Sequence, residues 1–433
     1  MKTFVKLLKT LYNRITRSIA FYPVLLSFFF LVFALLALSF ERTAFVVELK
    51  KNIPHLIIQD KDTAHTLLSV LIGGMLSLTV FSFTMVMVVL NQASTNFSPR
   101  LLPGLISDKK HQIILGVYIG TLIYTLILLT VLGAYTSEVG ELGISIILAA
   151  ISGIICIGLF VYFIHSISGA IQIHNIIDRI FREANTKIDL LTSKYSDANV
   201  DKPDLDYEGF EVKVPTTGYF KSFDPELLTV ELREKLELIE VIPHEECHLW
   251  EGAILAKTKV SLSKEDEKSL LLCFHITKDR QNSEGYLEEL IKLMEVAVKA
   301  LSPGINDPGT ARNVIGKLGQ LCARVLSLDA IMIQQLAQKE SIIVNHRISA
   351  SDLLSIIFQP IRNYGKADLA VINMLIDCYR FFLNHDGISA LDKNYIMLEV
   401  NALREDINEY ISNARDQSFL SNKINELESI KNY

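Results

Sequence analysis

Four long apolar runs dominate the first 165 residues, and beyond them the hydrophobic pattern breaks into short periodic segments. The runs are AFYPVLLSFFFLVFALLALSF (Ala20 to Phe40), LLSVLIGGMLSLTVFSFTMVMVVL (Leu67 to Leu90), IILGVYIGTLIYTLILLTVLGAY (Ile113 to Tyr135) and ISIILAAISGIICIGLFVYFI (Ile144 to Ile164). Each is close to the roughly 20 residues that a helix needs to cross about 30 Å of hydrocarbon, so all four predict transmembrane helices. The first is too long for a signal peptide and lacks its small-residue cleavage site, which predicts a retained span.

After the fourth run, HSISGAIQIHNIIDRIFREANTKIDLL contains no proline, and Ile167, Ile171, Ile177, Ile180 and Phe181 recur at helical spacing. One stiff helix continuing the span is expected there, followed by a polar linker from Tyr195 to Gly209. From Phe210 to about Thr277 the runs EVKVP, LELIEVI and LLLCFHI are β-rich, while DPELLTVELREKL predicts a helix with Asp224 as N-cap and Pro225 at its first position. From about Ser283 onward the spacing reads as helical, and Pro360 marks a kink or break in SDLLSIIFQPIRNYGKADLAVINMLIDCYRFFL.

The fold class expected is therefore a membrane protein with four N-terminal transmembrane α-helices, then a region with a small α+β module and a helical C-terminal part. The predicted divisions are a basic leader (1–19), a four-helix transmembrane domain (20–165), a helical extension and linker (166–209), the α+β module (210–280) and a helical domain (281–433).

Charge orients this arrangement. The leader carries Lys2, Lys6, Lys9, Arg14 and Arg17 with no acid, and the loop between spans two and three carries Arg100, Lys109 and Lys110, whereas the loop between spans three and four carries only Glu138 and Glu141. The positive-inside rule puts the leader and everything after His165 in the cytoplasm. The net charge of −6 averages a basic membrane-proximal rim with an acidic C-terminal half, and without a dense basic stripe nucleic acid is not an expected partner. Cys156, Cys247, Cys273, Cys322 and Cys378 show no CxxC spacing, and four of them fall in the cytoplasmic part, which predicts free thiols.

Several motifs invite chemistry. His244 to His248 spells HExxH, whose metal chemistry requires both histidines on one helical face. Pro243 before it and Trp250-Glu251-Gly252 after it favour a hairpin, and on a strand the two histidines would stand about 13 Å apart. No metal site and no catalytic residue is expected. In the second span Ser69, Gly73, Ser77, Thr84, Asn91 and Thr95 fall within about 80° of one another at helical spacing. Such a small, hydroxylated face serves either as a helix-packing seam or as the wetted wall of a permeation path. His165 and His174 stand where the fourth span leaves the bilayer and are candidates for a pH-sensitive gate. The loop LSPGINDPGTARN, Leu301 to Asn313, has the GxxxxG spacing of a phosphate loop, but Thr310-Ala311 replaces the required lysine and hydroxyl pair. With Asp307 as the N-cap of the following helix it reads as a rigid corner, in which Ser302, Asn306, Asp307 and Arg312 are contact candidates.

Two stretches carry a family resemblance. Asn91 to Leu102 (NQASTNFSPRLL) and Ala300 to Pro308 (ALSPGINDP) resemble the signatures of a bacterial membrane protein family catalogued as domain of unknown function 2254. The resemblance implies four N-terminal spans, a cytosolic tail and a bacterial inner-membrane location; it implies no activity. The functional expectation is an oligomeric channel-like protein for ions or small solutes with a cytosolic gating or assembly domain. The alternative is a membrane-tethered module that binds a ligand or protein. The expected partners are the lipid bilayer and further copies of the chain, with no cofactor, and no enzymatic role is expected.

Overall fold

The computed structural model describes residue 18 and residues 20–52, 57–58, 60–96, 109–134, 142–170, 172–195, 203, 205, 207, 209–278, 285–335 and 342–430. The lysines and arginines of the leader, the loop holding Arg100, the loop holding Glu138 and Glu141, and much of the linker lie outside these residues. The chain forms two compact units, Met1–Asn175 and Ile176–Tyr433.

In the first unit the four apolar runs become α1 (Phe21–Phe40), α3 (Lys61–Asn96), α4 (Lys109–Ala134) and α5 (Gly143–Ala170), with the short α2 (Ala44–Asn52) after the first. All four are long and apolar enough to cross a membrane. In lipid only closed backbone hydrogen bonding is tolerated, and the side-chain hydroxyls follow the same rule. Ser27, Ser39, Thr79 and Thr130 each donate to the carbonyl four residues back on their own helix.

Helix α4 is central, packing against α1, α3 and α5. Its GxxxG pair allows the close approach to α1: a Cβ on Gly116 would lie 2.7 Å from Leu26 Cδ1, and one on Gly120 would lie 2.5 Å from Phe30 Cδ2. Helix α3 meets its neighbours through Ala64, Leu68, Leu71, Met75, Leu78, Ser82, Met85 and Val89, spaced alternately four and three residues apart as in a heptad seam, and every one is buried or half-buried. At the far end of α1 the buried Glu41 accepts a 2.5 Å hydrogen bond from Ser145 N, in the first turn of α5, and pairs with Lys50 of α2 at 2.6 Å. A carboxylate on the amides of a helix start, with a lysine to balance it, is a favourable arrangement.

The expected continuous helix past the fourth span does not form. Helix α5 ends at Ala170 and α6 (Ile173–Tyr195) starts anew. Both Gln172 N and Asn175 Nδ2 donate to Gly169 O, at 3.3 and 2.8 Å, so a side chain competes with the helical ladder for the terminal carbonyl.

The second unit contains α6 from Ile176 on, and its apolar stripe is Ile176, Ile177, Ile180, Ala184 and Ile188. Its polar flank joins α9 (Tyr286–Ala300) and α10 (Pro308–Leu326): Lys187 pairs with Glu289 at 2.7 Å, Asp178 with Lys317 at 2.9 Å, and Arg324 donates to Asn185 and Asp189. Strands β1 (Phe210–Lys213), β5 (Ile254–Thr258), β3 (Leu238–Val241), β8 (Ile342–His346) and β7 (Ile331–Gln335) form one sheet in that order, and only β3 and β8 are parallel. Strands β4 (His248–Leu249), β2 (Gly218–Phe223) and β6 (Phe274–Thr277) form a second, antiparallel sheet. Phe220, Phe223, Val241, Leu255, Phe274 and Ile343 fill the core built on these strands, joined by Leu232 of α7 (Val230–Lys235) and Leu270 of α8 (Lys264–Leu271).

Three readings of this region change. The 281–433 segment is not wholly helical, because β7 and β8 come from it and complete the five-stranded sheet. Asp224 caps only a short 3₁₀ turn, Pro225–Leu227; Leu228 is extended and Thr229 caps α7 afresh. Pro360 lies inside an unbroken α11 (Ala350–Gly365), and the chain turns instead at Gly365 to Asp368, where Asp368 caps α12 (Leu369–Leu383). The turn residue and the cap outweigh the proline.

Helix α11 packs on α9 and on α13 (Ala390–Tyr410), while α12 meets α10, α13 and α14 (Ala414–Ile430). Fully buried Phe358 of α11 stands 5.9 Å from Tyr379 and 5.8 Å from Phe382, ring centre to ring centre. Replacing Phe358 by Ala opens a cavity at this contact and should cost about 3–5 kcal/mol. Thermal unfolding of the purified full chain, at roughly 2–4 °C per kcal/mol for a unit of this size, should show a drop of the order of 10 °C; an unchanged midpoint would contradict this packing.

Candidate functional site

Within the described residues the polar stripe of α3 faces away from the rest of its unit. At about 100° per residue, Gly73, Ser77, Thr84 and Asn91 lie roughly 140–180° from Leu68 of the heptad seam, and Ser69, Gly73, Ser77, Thr84 and Asn91 are all exposed. Among the described residues, apart from the adjoining backbone of α3 itself and the flanking residues, nothing stands within 4 Å of where a Cβ on Gly73 or Gly74 would be. Ser77 Oγ and Thr84 Oγ1 donate to Gly73 O and Val80 O on their own helix at 2.9 and 2.8 Å. The stripe is therefore not the seam that packs α3 within the chain. Thr95 is helical, and its side chain lies outside the described residues.

His165 and His174 are both exposed. Asp178, one turn beyond His174, pairs with Lys317. In the signature loop Asp307 accepts from Thr310 N at 3.0 Å and from Thr310 Oγ1 at 2.6 Å, capping α10. Ile305 N and Asn306 N donate to Ser302 O, Asp307 N donates to Ala300 O, and Asn306 adopts φ 49°. These bonds fold the loop into a closed corner between α9 and α10. Arg312 projects from its exposed side.

The HExxH segment is not helical. Glu245 and Glu246 form a turn, Glu246 at φ 73°, and His248 opens β4, where its ring sits between Tyr219 and Trp250. Nor is it a hairpin, because β3 and β4 belong to different sheets and the turn carries the chain between them. Among the described residues no three His, Cys, Asp or Glu side chains gather as a metal-binding group. Beside the turn, burial pushes the Cys247 thiol up to about 12.

That same turn instead walls a partly open cavity that the sequence reading missed. The cavity lies at the carboxyl end of the parallel pair. Past β3 it is bordered by Pro243, His244 and Glu245, and at the end of β8 by Asn345, His346, Arg347 and Ile348. Lys194 and Tyr195 come from the last turn of α6, Tyr286 from the first turn of α9, and Phe220 and Phe223 of β2 supply apolar wall.

Arg347 is held rigidly. Its side chain is 3% exposed; Nη2 donates to Asp392 Oδ2 at 2.7 Å, Nη1 donates to Ile348 O at 3.0 Å, and Nε is buried without a partner. Asp392 is itself fixed by Ser389, the N-cap of α13. His346 Nε2 pairs with Glu240 Oε1 at 2.8 Å. By contrast the Glu245 carboxylate, the Tyr195 and Tyr286 hydroxyls and the Asn345 amide have no side-chain hydrogen-bond partner among the described residues, and the exposed Lys194 overlies the Tyr195 ring with Nζ at 5.3 Å. Burial raises Glu245 above the usual carboxylate range, with nearby Lys194 opposing and Glu246 adding to the rise. Burial, then the Glu245 charge, raises both tyrosines. The sequence signal was present only in disguise, since Glu245 lies inside the motif that resembled a zinc site.

The family model described as predicted membrane protein (DUF2254) matches residues 16–380. Two mycobacterial relatives, the uncharacterized proteins Rv1290c of Mycobacterium tuberculosis and Mb1321c of Mycobacterium bovis, are each 26% identical over 262 residues, covering 57% of this chain and 48% of the relative. The chain thus spans about half the length of the curated relatives it matches. No solved structure matches the chain.

The raised pKa of Glu245 generates a pH-dependent prediction. The folded chain holds this proton more tightly than the unfolded chain, whose value is near 4.3. The group therefore adds no penalty below that value and opposes folding as the pH rises through the folded one. Glu245→Gln should raise the unfolding midpoint at pH 7.5, by roughly 2–4 °C for each kcal/mol relieved, and leave it nearly unchanged at pH 4. Melting curves at the two pH values check this, and an equal shift at both would contradict it.

Proposed function

The chain belongs to the DUF2254 family of predicted membrane proteins, and on that premise we propose that it is the subunit of an oligomeric, channel-like assembly for ions or small solutes. The assembly sits in a bacterial inner membrane, with the basic leader and the C-terminal unit on the cytoplasmic side, and the C-terminal unit gates or assembles it. The observation that supports this reading is the outward stripe of α3. A spanning helix that keeps Gly73, Ser77 and Thr84 opposite its intrachain seam offers neighbouring copies a close-packing face, and hydroxyls on that face replace part of an ion's hydration shell. No Asp, Glu, Lys or Arg stands between Leu67 and Leu90, which favours passive permeation over a proton relay.

A second reading, a membrane-tethered module that binds a ligand, is favoured by the cavity of the C-terminal unit. Conductance separates the two. Purified protein in planar bilayers should carry current that Ser77→Val or Thr84→Val alters, and in membranes Gly73→Cys should be captured between copies by a short thiol cross-linker while Leu68→Cys, on the buried seam, should not. Folded protein that stays silent under voltage, tension and pH steps overturns the channel; loss of the cross-link pattern overturns the oligomer.

A further inference from the structure

The structure assigns the cavity at the carboxyl end of β3 and β8 as a binding site for a small zwitterion of the amino-acid class, its carboxylate on Lys194 and Arg347 and its ammonium on Glu245. This inference does not rest on the channel reading.

Position is the first argument. Parallel strands end with their chain directions aligned, so the segments that follow them diverge and leave a crevice, the usual place for a ligand in sheets that contain parallel strands. Here the crevice falls beyond the one parallel pair among the described residues.

Uncommitted chemistry is the second. Buried polar groups are normally partnered, and Arg347 keeps a buried Nε without a partner; around it buried Tyr286 and half-buried Glu245, Tyr195 and Asn345 line one cavity with their side chains unbonded among the described residues. A bound molecule with both an acceptor and a donor end satisfies them together.

Charge selects the class. Arg347 is already balanced by Asp392, so the charges left at the cavity are one ammonium, on exposed Lys194, and one carboxylate, on half-buried Glu245, near enough to act on each other. A dianion such as phosphate would meet a single cation beyond the Arg347–Asp392 pair and be repelled by Glu245. The start of α9 offers it no help, because a Cβ on Gly285 would stand 3.3 Å from Glu246 Oε1 and 3.6 Å from Glu245 Oε2, leaving carboxylates at that helix end. A molecule with separated opposite charges matches the pair, and the apolar wall of Phe220 and Phe223 accommodates a hydrophobic side chain.

The test is calorimetric titration of the full chain in detergent with L-leucine, alongside acetate, isoamylamine and inorganic phosphate. L-leucine should bind saturably at one site per chain and each single-charge fragment much more weakly. Glu245→Gln and Lys194→Met should each weaken binding roughly tenfold or more, while Tyr195→Phe, with its ring retained, should weaken it less. Melting curves confirm that each variant is folded. Absence of saturable binding by L-leucine and by the other common amino acids overturns the proposal, as does phosphate binding more tightly than L-leucine, or a folded Glu245→Gln protein that binds as the unaltered chain does. Because binding is read without a bilayer, its failure is distinct from failure of the conductance experiment.

Discussion

The C-terminal unit depends on the parallel pairing of Leu238 to Val241 with Ile342 to Asn345, two segments separated by about a hundred residues of helix, strand and loop. Parallel strands require a crossover, and here the crossover includes β4 and β5, α8, β6 and the helices α9 and α10. Closing it brings the turn after β3 beside the end of β8. Glu245 and Arg347, remote in sequence, come to wall the same space. The closure is stabilised from outside as well: Asp392, at the start of α13, grips Arg347, and α6 is tied to α9 and α10 by ion pairs.

Burying an ion pair such as Arg347 with Asp392 is worthwhile only when the remaining donors are satisfied. Two of the three kinds of guanidinium nitrogen are satisfied here and Nε is not. Glu245 is similarly costly, a carboxylate kept above its normal pKa by burial. Arg347 and Glu245 thus meet at one crevice, while the apolar core, from Phe220 to Ile343 on one side and Phe358 to Phe382 on the other, is closely packed. Stability is concentrated in the walls, and the cavity is where it is given up.

In the membrane unit the decisive constraint is that α3 has two faces with different partners. Its heptad seam meets α4 and α5, and the GxxxG pair of α4 brings α1 close. Among the described residues that leaves the small hydroxylated face uncovered. Lipid does not reward such a face as it rewards Leu or Val, since Gly73 presents no side chain and Ser77 and Thr84 turn their hydroxyls onto their own backbone.

The sequence alone determined the spans, because in a bilayer each helix must satisfy its own backbone and be apolar along about 20 residues, a requirement that is local and visible in composition. It likewise determined the corner at Asp307, whose cap lies three residues from the amide it serves, and the family, through the two signatures. Other features required the tertiary structure. The α3 pattern contains a seam and a stripe, and only the positions of α4 and α5 decide which faces the chain. Asn175 interrupts the helix after the fourth span because its side chain reaches Gly169 O. Strands β7 and β8 are too short for periodicity to separate them from helix, and they become strands because β3 offers an open edge. The cavity was least legible of all: its polar residues come from α6, the turn after β3, α9 and β8, and pairing across that distance is set by the packing of the whole unit rather than by any local pattern.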